Sequence, residues 1–179
     1  MRTFVAVEIQ NQDVLDAIVK IQSDFKIKTK PIPTQNMHFT LLFLGELTSE
    51  SVEKVKNSLA TILFKSFQVK FTHVGVFPDA KYPRVIWLGV DEEGARKLVE
   101  MATQVEKKIE PLGYKPDKPF RPHLTIFRTK GKIGDISNVL EKFKTVDLGT
   151  ELVKELKLKK SILTPSGPIY SDLQVILAQ

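Results

Sequence analysis

The chain has 179 residues, 42% of them hydrophobic, and contains no cysteine. This length is enough to bury the core of one domain, and the missing cysteines exclude disulfides, thiolate metal sites and cysteine nucleophiles. Lysine and arginine outnumber aspartate and glutamate by 27 to 21, and the net charge of +6 suits a nucleic acid partner about as well as a merely solvated surface. No stretch approaches the roughly 18 uncharged apolar residues of a membrane span, so we expect no membrane partner and a cytoplasmic location.

Strand and helix periodicities alternate in the first half of the chain. Residues 3–9 have the alternating polarity of a strand, and apolar residues at helical spacing follow a cap at Asn11 or Asp13. After two prolines, the apolar run of residues 37–47 predicts a second strand. Residues 49–64 then place their apolar side chains on one helical face, which predicts a second helix.

The second half is richer in strand patterns that are joined by short turns. A β-hairpin is predicted from the strands at 67–77 and 84–90, with the turn-like segment PDAKYP between them. The later predicted elements are a helix at about 92–111, a strand at 120–130, a short helix at about 134–143, and strands at about 151–163 and 168–177. Strand pairs with few helices predict an α+β fold with mainly antiparallel sheets. No G-x-G-x-x-G or P-loop motif occurs, so nucleotide-binding parallel-sheet folds have no support.

The most informative feature is a tetrapeptide pattern that occurs twice, once in each half. Residues 38–41 read HFTL and residues 123–126 read HLTI, each inside a predicted strand. Because side chains alternate between the faces of a strand, the histidine and threonine of each copy point the same way and the two apolar residues point the other way. For one copy alone, a structural histidine beside a strand-forming threonine would be the better interpretation. Two copies favour a functional pair.

Two imidazoles and two hydroxyls suit the opening of a cyclic phosphodiester. Because histidine titrates near pH 6.5, His38 and His123 can stand one neutral and one protonated, as a general base and a general acid. Thr40 and Thr125 can donate hydrogen bonds to the phosphate oxygens as charge grows there. The residues themselves leave open which histidine is the acid.

Four blocks of the sequence carry a resemblance to a known family. They are HFTLLFLGEL at 38–47, YPRVIWLGV at 82–90, FRPHLTIFR at 120–128 and SILTPSGPIYSDL at 161–173. With its two H-x-T-x motifs, the chain resembles the two-histidine phosphoesterase superfamily, and specifically its RNA 2′,3′-cyclic phosphodiesterase branch, historically called the 2′-5′ RNA ligase family.

The resemblance implies one bilobal, pseudo-twofold α+β domain over residues 1–179, with mainly antiparallel sheets, outer helices and one motif on each side of a central cleft. It implies that His38 is the proton donor to the leaving oxygen and that His123 is the proton acceptor that activates water. The implied reaction is metal-independent hydrolysis of RNA 2′,3′-cyclic phosphate termini to 2′-phosphates by a monomer, on RNA or a small cyclic nucleotide. The alternatives are 2′-5′ RNA ligation, or a catalytically idle RNA-binding or nucleotide-binding module.

Residues near the second motif are candidate substrate contacts. Arg121 shares the parity of His123 and is a candidate phosphate contact, whereas Arg128 has the opposite parity. A surface role is as plausible for either arginine. Phe120 is a candidate base-stacking residue, with a core position as the commoner alternative. His73 is interpreted as structural, and because the histidines lack a close-spaced pair such as H-x-x-x-H, no metal and no cofactor are expected.

Other residues receive an interpretation from the sequence as well. Phe43 and Trp87 are predicted to lie in the core, while Tyr82 and Arg84 are candidates for the edge of the cleft. Residues 157–160 carry three lysines, which favour either contacts with an RNA backbone or, more commonly, protection of an exposed sheet edge.

Overall fold

The computed structural model describes residues 1–179. Eight strands and four α-helices follow one another along the chain. In chain order they are β1 (Arg2–Glu8), α1 (Gln12–Asp24), β2 (His38–Glu46), α2 (Ser49–Leu59), β3 (Phe67–Phe77), β4 (Val85–Val90), α3 (Glu92–Ile109), β5 (Leu124–Arg128), α4 (Ser137–Phe143), β6 (Thr150–Val153), β7 (Glu155–Thr164) and β8 (Gly167–Leu177). None of the helices is long and apolar enough to cross a membrane.

The strands form two antiparallel sheets of four strands each, in the orders β2-β1-β7-β8 and β5-β4-β3-β6. The predicted α+β class with mainly antiparallel sheets is confirmed. The sheets correspond to each other, because in each one the strand with the histidine motif, β2 or β5, is an edge strand that pairs with the strand preceding a helix. The two motif strands also contact each other, so the two motifs meet where the sheets meet.

Three predicted elements differ from the structure. The single strand predicted at 151–163 is wrong, since the chain leaves one sheet at the end of β6 and enters the other as β7. The helix predicted to reach residue 64 ends at Leu59, although Ile62 is buried as its pattern indicated. The strand predicted at 120–130 is only Leu124–Arg128, because Pro122 has no N–H to donate to a neighbouring strand.

Side-chain caps explain where the longer helices begin. Asn11 accepts a hydrogen bond from the Val14 N–H at 3.1 Å, which confirms Asn11 rather than Asp13 as the cap of α1. Asp91 caps α3 in the same way through the Gly94 N–H at 3.1 Å. Its other carboxylate oxygen accepts the Lys70 N–H at 2.8 Å and so ties the start of α3 to β3.

The two lobes are joined by one apolar core and by a polar contact that crosses between them. Buried apolar side chains from both sheets and from all four helices or their caps form a single cluster. Gln22 of α1, which follows a strand of the first sheet, donates from Nε2 to the carbonyl oxygen of Ile126 in β5 at 3.0 Å and to that of Ile32 at 3.1 Å. Because Gln22 is buried, these bonds fix the motif strand of the second sheet against a helix of the first lobe.

Candidate active site

The same backbone contact orients both motif histidines. His38 is the first residue of β2, and its Nδ1 lies 2.7 Å from the carbonyl oxygen of Asn36. The sequence pattern predicts His123 inside a strand, but it comes one residue before β5. Its Nδ1 lies 2.6 Å from the carbonyl oxygen of Arg121. Since a carbonyl oxygen only accepts, Nδ1 carries a proton in both rings, and Nε2 is left for chemistry.

The threonines take up different positions in the two motifs. Thr40 is exposed, and its hydroxyl lies 3.0 Å from Nε2 of His38. Thr125 is half-buried and is paired in register with Trp87 of β4. Both threonines lie two residues beyond their histidines, so each hydroxyl is on the face of the sheet that carries the imidazole.

Aromatic rings and a salt-bridge network surround His38. Its ring centroid lies 5.1 Å from that of Phe4 and 5.3 Å from that of Tyr170. Beside these rings, Glu8 of β1 pairs with both Lys157 and Lys159. Asp172 of β8 pairs with the same two lysines at 2.8 and 2.7 Å; we name these four charged residues the lysine network.

The lysine network corrects both interpretations for two of the three late lysines, Lys157 and Lys159. Lys159 is only 4% exposed, and β7 lies inside its sheet between β1 and β8, so Lys157 and Lys159 protect no edge. Their ammonium groups are neutralised by Glu8 and Asp172 and are not free to hold an RNA backbone. Burial alone would lower the pKa of Lys157, but its hydrogen bonds to Asp172 and Glu8 raise it.

The surroundings of His123 are aromatic. Its ring centroid lies 5.2 Å from Phe77 and 6.3 Å from Trp87, both in edge contacts. Trp87 is therefore half-buried behind a candidate catalytic residue rather than deep in the core as predicted. His73 packs edge-on against Trp87 at 5.8 Å and hydrogen-bonds to the Thr72 hydroxyl at 2.9 Å, which fits its structural interpretation.

A glycine makes room for the indole of Trp87, and this leads to a test. A Cβ at Gly75 would lie 2.2 Å from Cζ2 of Trp87, so alanine there must displace the ring that packs on His123. We expect Gly75→Ala to lower kcat/KM of the reaction that the resemblance implies by about tenfold to a hundredfold, because small misplacements of a candidate catalytic group such as His123 are costly. Steady-state kinetics on a 2′,3′-cyclic nucleotide measures the change.

A Trp87→Phe background provides the matched control. Phenylalanine lacks the outer ring atoms that the new Cβ would meet, so Gly75→Ala is expected to cost at least about threefold less there than in the wild type. Equal losses in the two backgrounds would show that crowding of Trp87 is not the cause.

A β-bulge in each motif strand changes the face on which later residues lie. The pairing of β2 with β1 skips Leu41, and the pairing of β5 with β4 skips Ile126. Each skipped residue and its successor, Leu42 or Phe127, are both buried, although simple alternation would place them on opposite faces of the sheet. An extra residue reverses the alternation from that point on. The second residue after each skipped residue, Phe43 in β2 and Arg128 in β5, therefore lies on the same face of the sheet as the histidine.

Arg128 and Phe43 occupy equivalent positions in the two motif strands, since each comes two residues after the residue that its bulge skips. Counting by parity places Arg128 on the face opposite to His123, and the bulge in β5 makes that placement wrong. The bulge in β2 likewise explains why Phe43, predicted to lie in the core, is 49% exposed, with the guanidinium of Arg2 over its ring. Burial is the main cause that lowers the pKa of both His38 and His123, and the positive charge of Arg128 lowers both further. Since Coulomb interactions weaken with distance, the Arg128 charge is near enough to both histidines to act on each of them.

Other charges act on one histidine each. After burial, the hydrogen bond to the Asn36 carbonyl raises the pKa of His38, and the nearby Lys159 lowers it. For His123, the hydrogen bond to the Arg121 carbonyl opposes burial, and the Arg121 guanidinium adds to the lowering of the pKa. Both imidazoles are therefore held below their ordinary pKa.

The two remaining candidates lie beside the second motif. The Arg121 guanidinium is 5.9 Å from the ring centroid of Phe77, itself in contact with His123, so Arg121 is at the site through both its backbone and its side chain. Phe120 is half-buried and packs against the core cluster. Its role in base stacking stays a prediction. No group of three or more histidine, cysteine, aspartate or glutamate side chains is arranged to hold a metal ion.

Two matched sheets that each bring a histidine and a threonine to their junction define the class of two-histidine phosphoesterases. The family model described as LigT like phosphoesterase matches residues 7–87 and again residues 88–170, so each match contains one motif. The chain belongs to the LigT-like phosphoesterase family, as its sequence blocks indicated.

Relatives over nearly the whole chain support the same assignment. An RNA 2′,3′-cyclic phosphodiesterase of Archaeoglobus fulgidus is 39% identical over 177 residues, which cover 98% of this chain and 99% of the relative. The protein of that name from Methanocaldococcus jannaschii is 37% identical over 177 residues, covering 97% and 99%. The crystal structure of a Thermus thermophilus protein superposes with a TM-score of 0.82 at 29% identity, covering 99% of this chain and 97% of the other.

Proposed function

We propose that this protein hydrolyses RNA 2′,3′-cyclic phosphate termini, with His38 and His123 as its acid and base. One observation carries the proposal. Both rings are fixed at Nδ1 by a carbonyl two residues upstream, which leaves Nε2 of each ring for chemistry where the two motif strands meet. The names of the full-length relatives support the choice of substrate. A single chain carries both motifs, which supports action as a monomer, and the lack of cysteine fits a cytoplasmic location.

The proposed reaction is an in-line displacement at phosphorus. Neutral His123 takes a proton from water at Nε2 while the water oxygen forms a bond to phosphorus. The bond from phosphorus to the 3′ oxygen breaks, and protonated His38 gives its Nε2 proton to that oxygen. The product is a 2′-phosphomonoester and a free 3′ hydroxyl. The histidines end with exchanged protonation states, and exchange with water resets them.

The growing charge on the phosphoryl oxygens needs donors. The Thr40 hydroxyl is already beside Nε2 of His38, and Thr125 follows His123 by the same two residues, on the face of the sheet that carries the imidazole. Arg128 adds a positive charge that acts on both histidines. Two hydroxyls and a guanidinium give the anion the stabilisation that the displacement requires.

The proposed function is tested with purified protein and an oligonucleotide that ends in a 2′,3′-cyclic phosphate, with EDTA present. Conversion to the 2′-phosphate is expected at an undiminished rate with the chelator. Binding without turnover would identify an idle binding module instead. Joined product in excess over hydrolysed ends, when a second RNA with a free 5′ hydroxyl is supplied, would favour ligation.

The pH dependence follows from the lowered pKa of both histidines. The rising limb of kcat/KM reports deprotonation of the base and the falling limb reports deprotonation of the acid. Because burial lowers the pKa of both rings, we expect a bell-shaped profile centred below about 6.5. A bound phosphate anion favours the protonated acid, so the falling limb of kcat is expected at a higher pH than that of kcat/KM. A profile that keeps rising above about pH 8 would contradict this assignment.

A further inference from the structure

A small basic pocket lies in the second lobe, next to the candidate active site. Two loops form it, residues 78–84 after β3 and residues 129–136 after β5, and they enclose about 110 Å³. Lys81, Arg84 and Lys132 line it together with an exposed Tyr82.

The two loops are held in place by hydrogen bonds. The Ile136 N–H donates to the carbonyl of Ala80, and the Thr129 N–H donates to the carbonyl of Arg84, each at 2.9 Å. The hydroxyl of Thr129, only 7% exposed, donates to the carbonyl of Pro83 at 3.0 Å. These hydrogen bonds fix the backbones of the two loops relative to each other.

The positive charge of the pocket is not neutralised by ion pairs. The loops carry four cations, Lys81, Arg84, Lys130 and Lys132, and none of them takes part in a salt bridge. The loops also carry two carboxylates, which accept local hydrogen bonds and reduce the charge of the two loops to +2, four cations less two anions. Asp79 accepts the N–H groups of Lys81 and Tyr82 at 2.9 Å, and Asp135 accepts the N–H of Ser137 at 2.8 Å. The pocket presents net positive charge to solvent.

The pocket is continuous with the candidate active site. The first loop begins directly after Phe77, whose ring contacts His123. Arg84 comes just before Val85, and Val85 pairs with Arg128 across the strands. From His123 to Arg128 the backbone advances roughly 16 Å at strand spacing, so the loop that follows Arg128 lies a few nucleotides away from His123. The long side chain of Arg128 itself reaches back toward the histidines.

The polarity of the RNA strand determines which part of the substrate can reach the pocket. A 2′,3′-cyclic phosphate is at the 3′ end of an RNA, so the rest of the strand leaves the site only from the 5′ side of the terminal nucleotide. We propose that the basic pocket binds the phosphodiester backbone of the RNA on that 5′ side, with Tyr82 as a stacking surface for a base. This inference rests on the proposed function and makes RNA strands, rather than free cyclic mononucleotides, the preferred substrates.

The test compares substrate lengths in a triple variant, Lys81→Ala, Arg84→Ala and Lys132→Ala. Its KM for a ten-nucleotide RNA ending in a 2′,3′-cyclic phosphate is expected to rise at least about tenfold, while kcat stays within about twofold. Turnover of adenosine 2′,3′-cyclic phosphate is expected to stay within about twofold, which also shows that the fold is intact. Since each lost phosphate contact on a single strand removes about 0.7 from the slope of log affinity against log salt, that slope should fall by about two.

A matched control separates the pocket from the overall charge. Lys20, Lys107 and Lys142 are exposed lysines without ion pairs, and replacing all three with alanine removes the same charge. The control is expected to leave the KM for the ten-nucleotide RNA within about twofold. Equal effects of the two triple variants would overturn the inference.

A binding measurement keeps the inference testable apart from the reaction. Fluorescence anisotropy with a labelled ten-nucleotide RNA that ends in a 3′ hydroxyl needs no turnover. Weaker binding by the pocket variant than by the control supports the pocket, even if the wild type cleaves no cyclic phosphate and the proposed function fails. Unchanged binding together with normal turnover would retain the proposed function and reject the pocket.

Discussion

Replacing His38 or His123 with alanine is expected to lower kcat/KM for an RNA 2′,3′-cyclic phosphate by about 10³-fold, since general acid–base catalysis contributes about 10²- to 10⁴-fold. The substrate that separates the two roles is a phosphodiester with an acidic phenol as leaving group. Such a phenolate departs without a proton, so His38→Ala should recover most of its lost activity on that substrate. His123→Ala should not, because water still needs a base.

The third histidine provides the control for this comparison. His73 packs against Trp87 and bonds to Thr72, without a motif threonine two residues on, and His73→Gln is expected to cost less than about tenfold on either substrate. If His123→Ala regained activity on the phenol ester and His38→Ala did not, His123 would be the acid and His38 the base, the reverse of the proposed assignment. Loss by only one of the two alanine variants on the RNA substrate would show that the pair does not act together.

The repeated motif could be recognised from the sequence because it depends on local geometry. A histidine and a threonine two residues apart share a face in any strand, and two copies in the two halves of the chain indicated a pair that meets. The antiparallel α+β class followed from strand patterns joined by short turns. These features need no knowledge of which strand pairs with which.

The register of the paired strands and the contacts between residues far apart in the sequence could not be predicted from the sequence pattern. Each motif is followed by a second apolar residue, Leu42 or Phe127, and this break in alternation was the available sign of a bulge. Whether it means a bulge or the end of a strand depends on the neighbouring strand. For the same reason, the partners of Lys159 could not be predicted, because Glu8 is 151 residues away along the chain.

Arg128 gives the second large expected effect. It lies beyond the bulge and its charge acts on both histidines, so we expect it to contact the phosphate in the transition state. Arg128→Ala should lower kcat/KM by about 10²-fold, and Arg128→Lys should lower it less, because lysine keeps the charge without the two-pronged contact. Steady-state kinetics on the cyclic phosphate RNA measures both.

The pH profile distinguishes this role from a structural one. Since a nearby positive charge lowers the pKa of a histidine, Arg128→Ala should move both limbs of the kcat/KM profile to higher pH. Arg121 lowers the pKa of His123 but is not among the charges acting on His38. Arg121→Ala should therefore move only the rising limb of the kcat/KM profile, which reports the base His123, to higher pH. A loss of rate in Arg128→Ala with both limbs unmoved would place its guanidinium away from the histidines and reject it as a charge that acts on both of them.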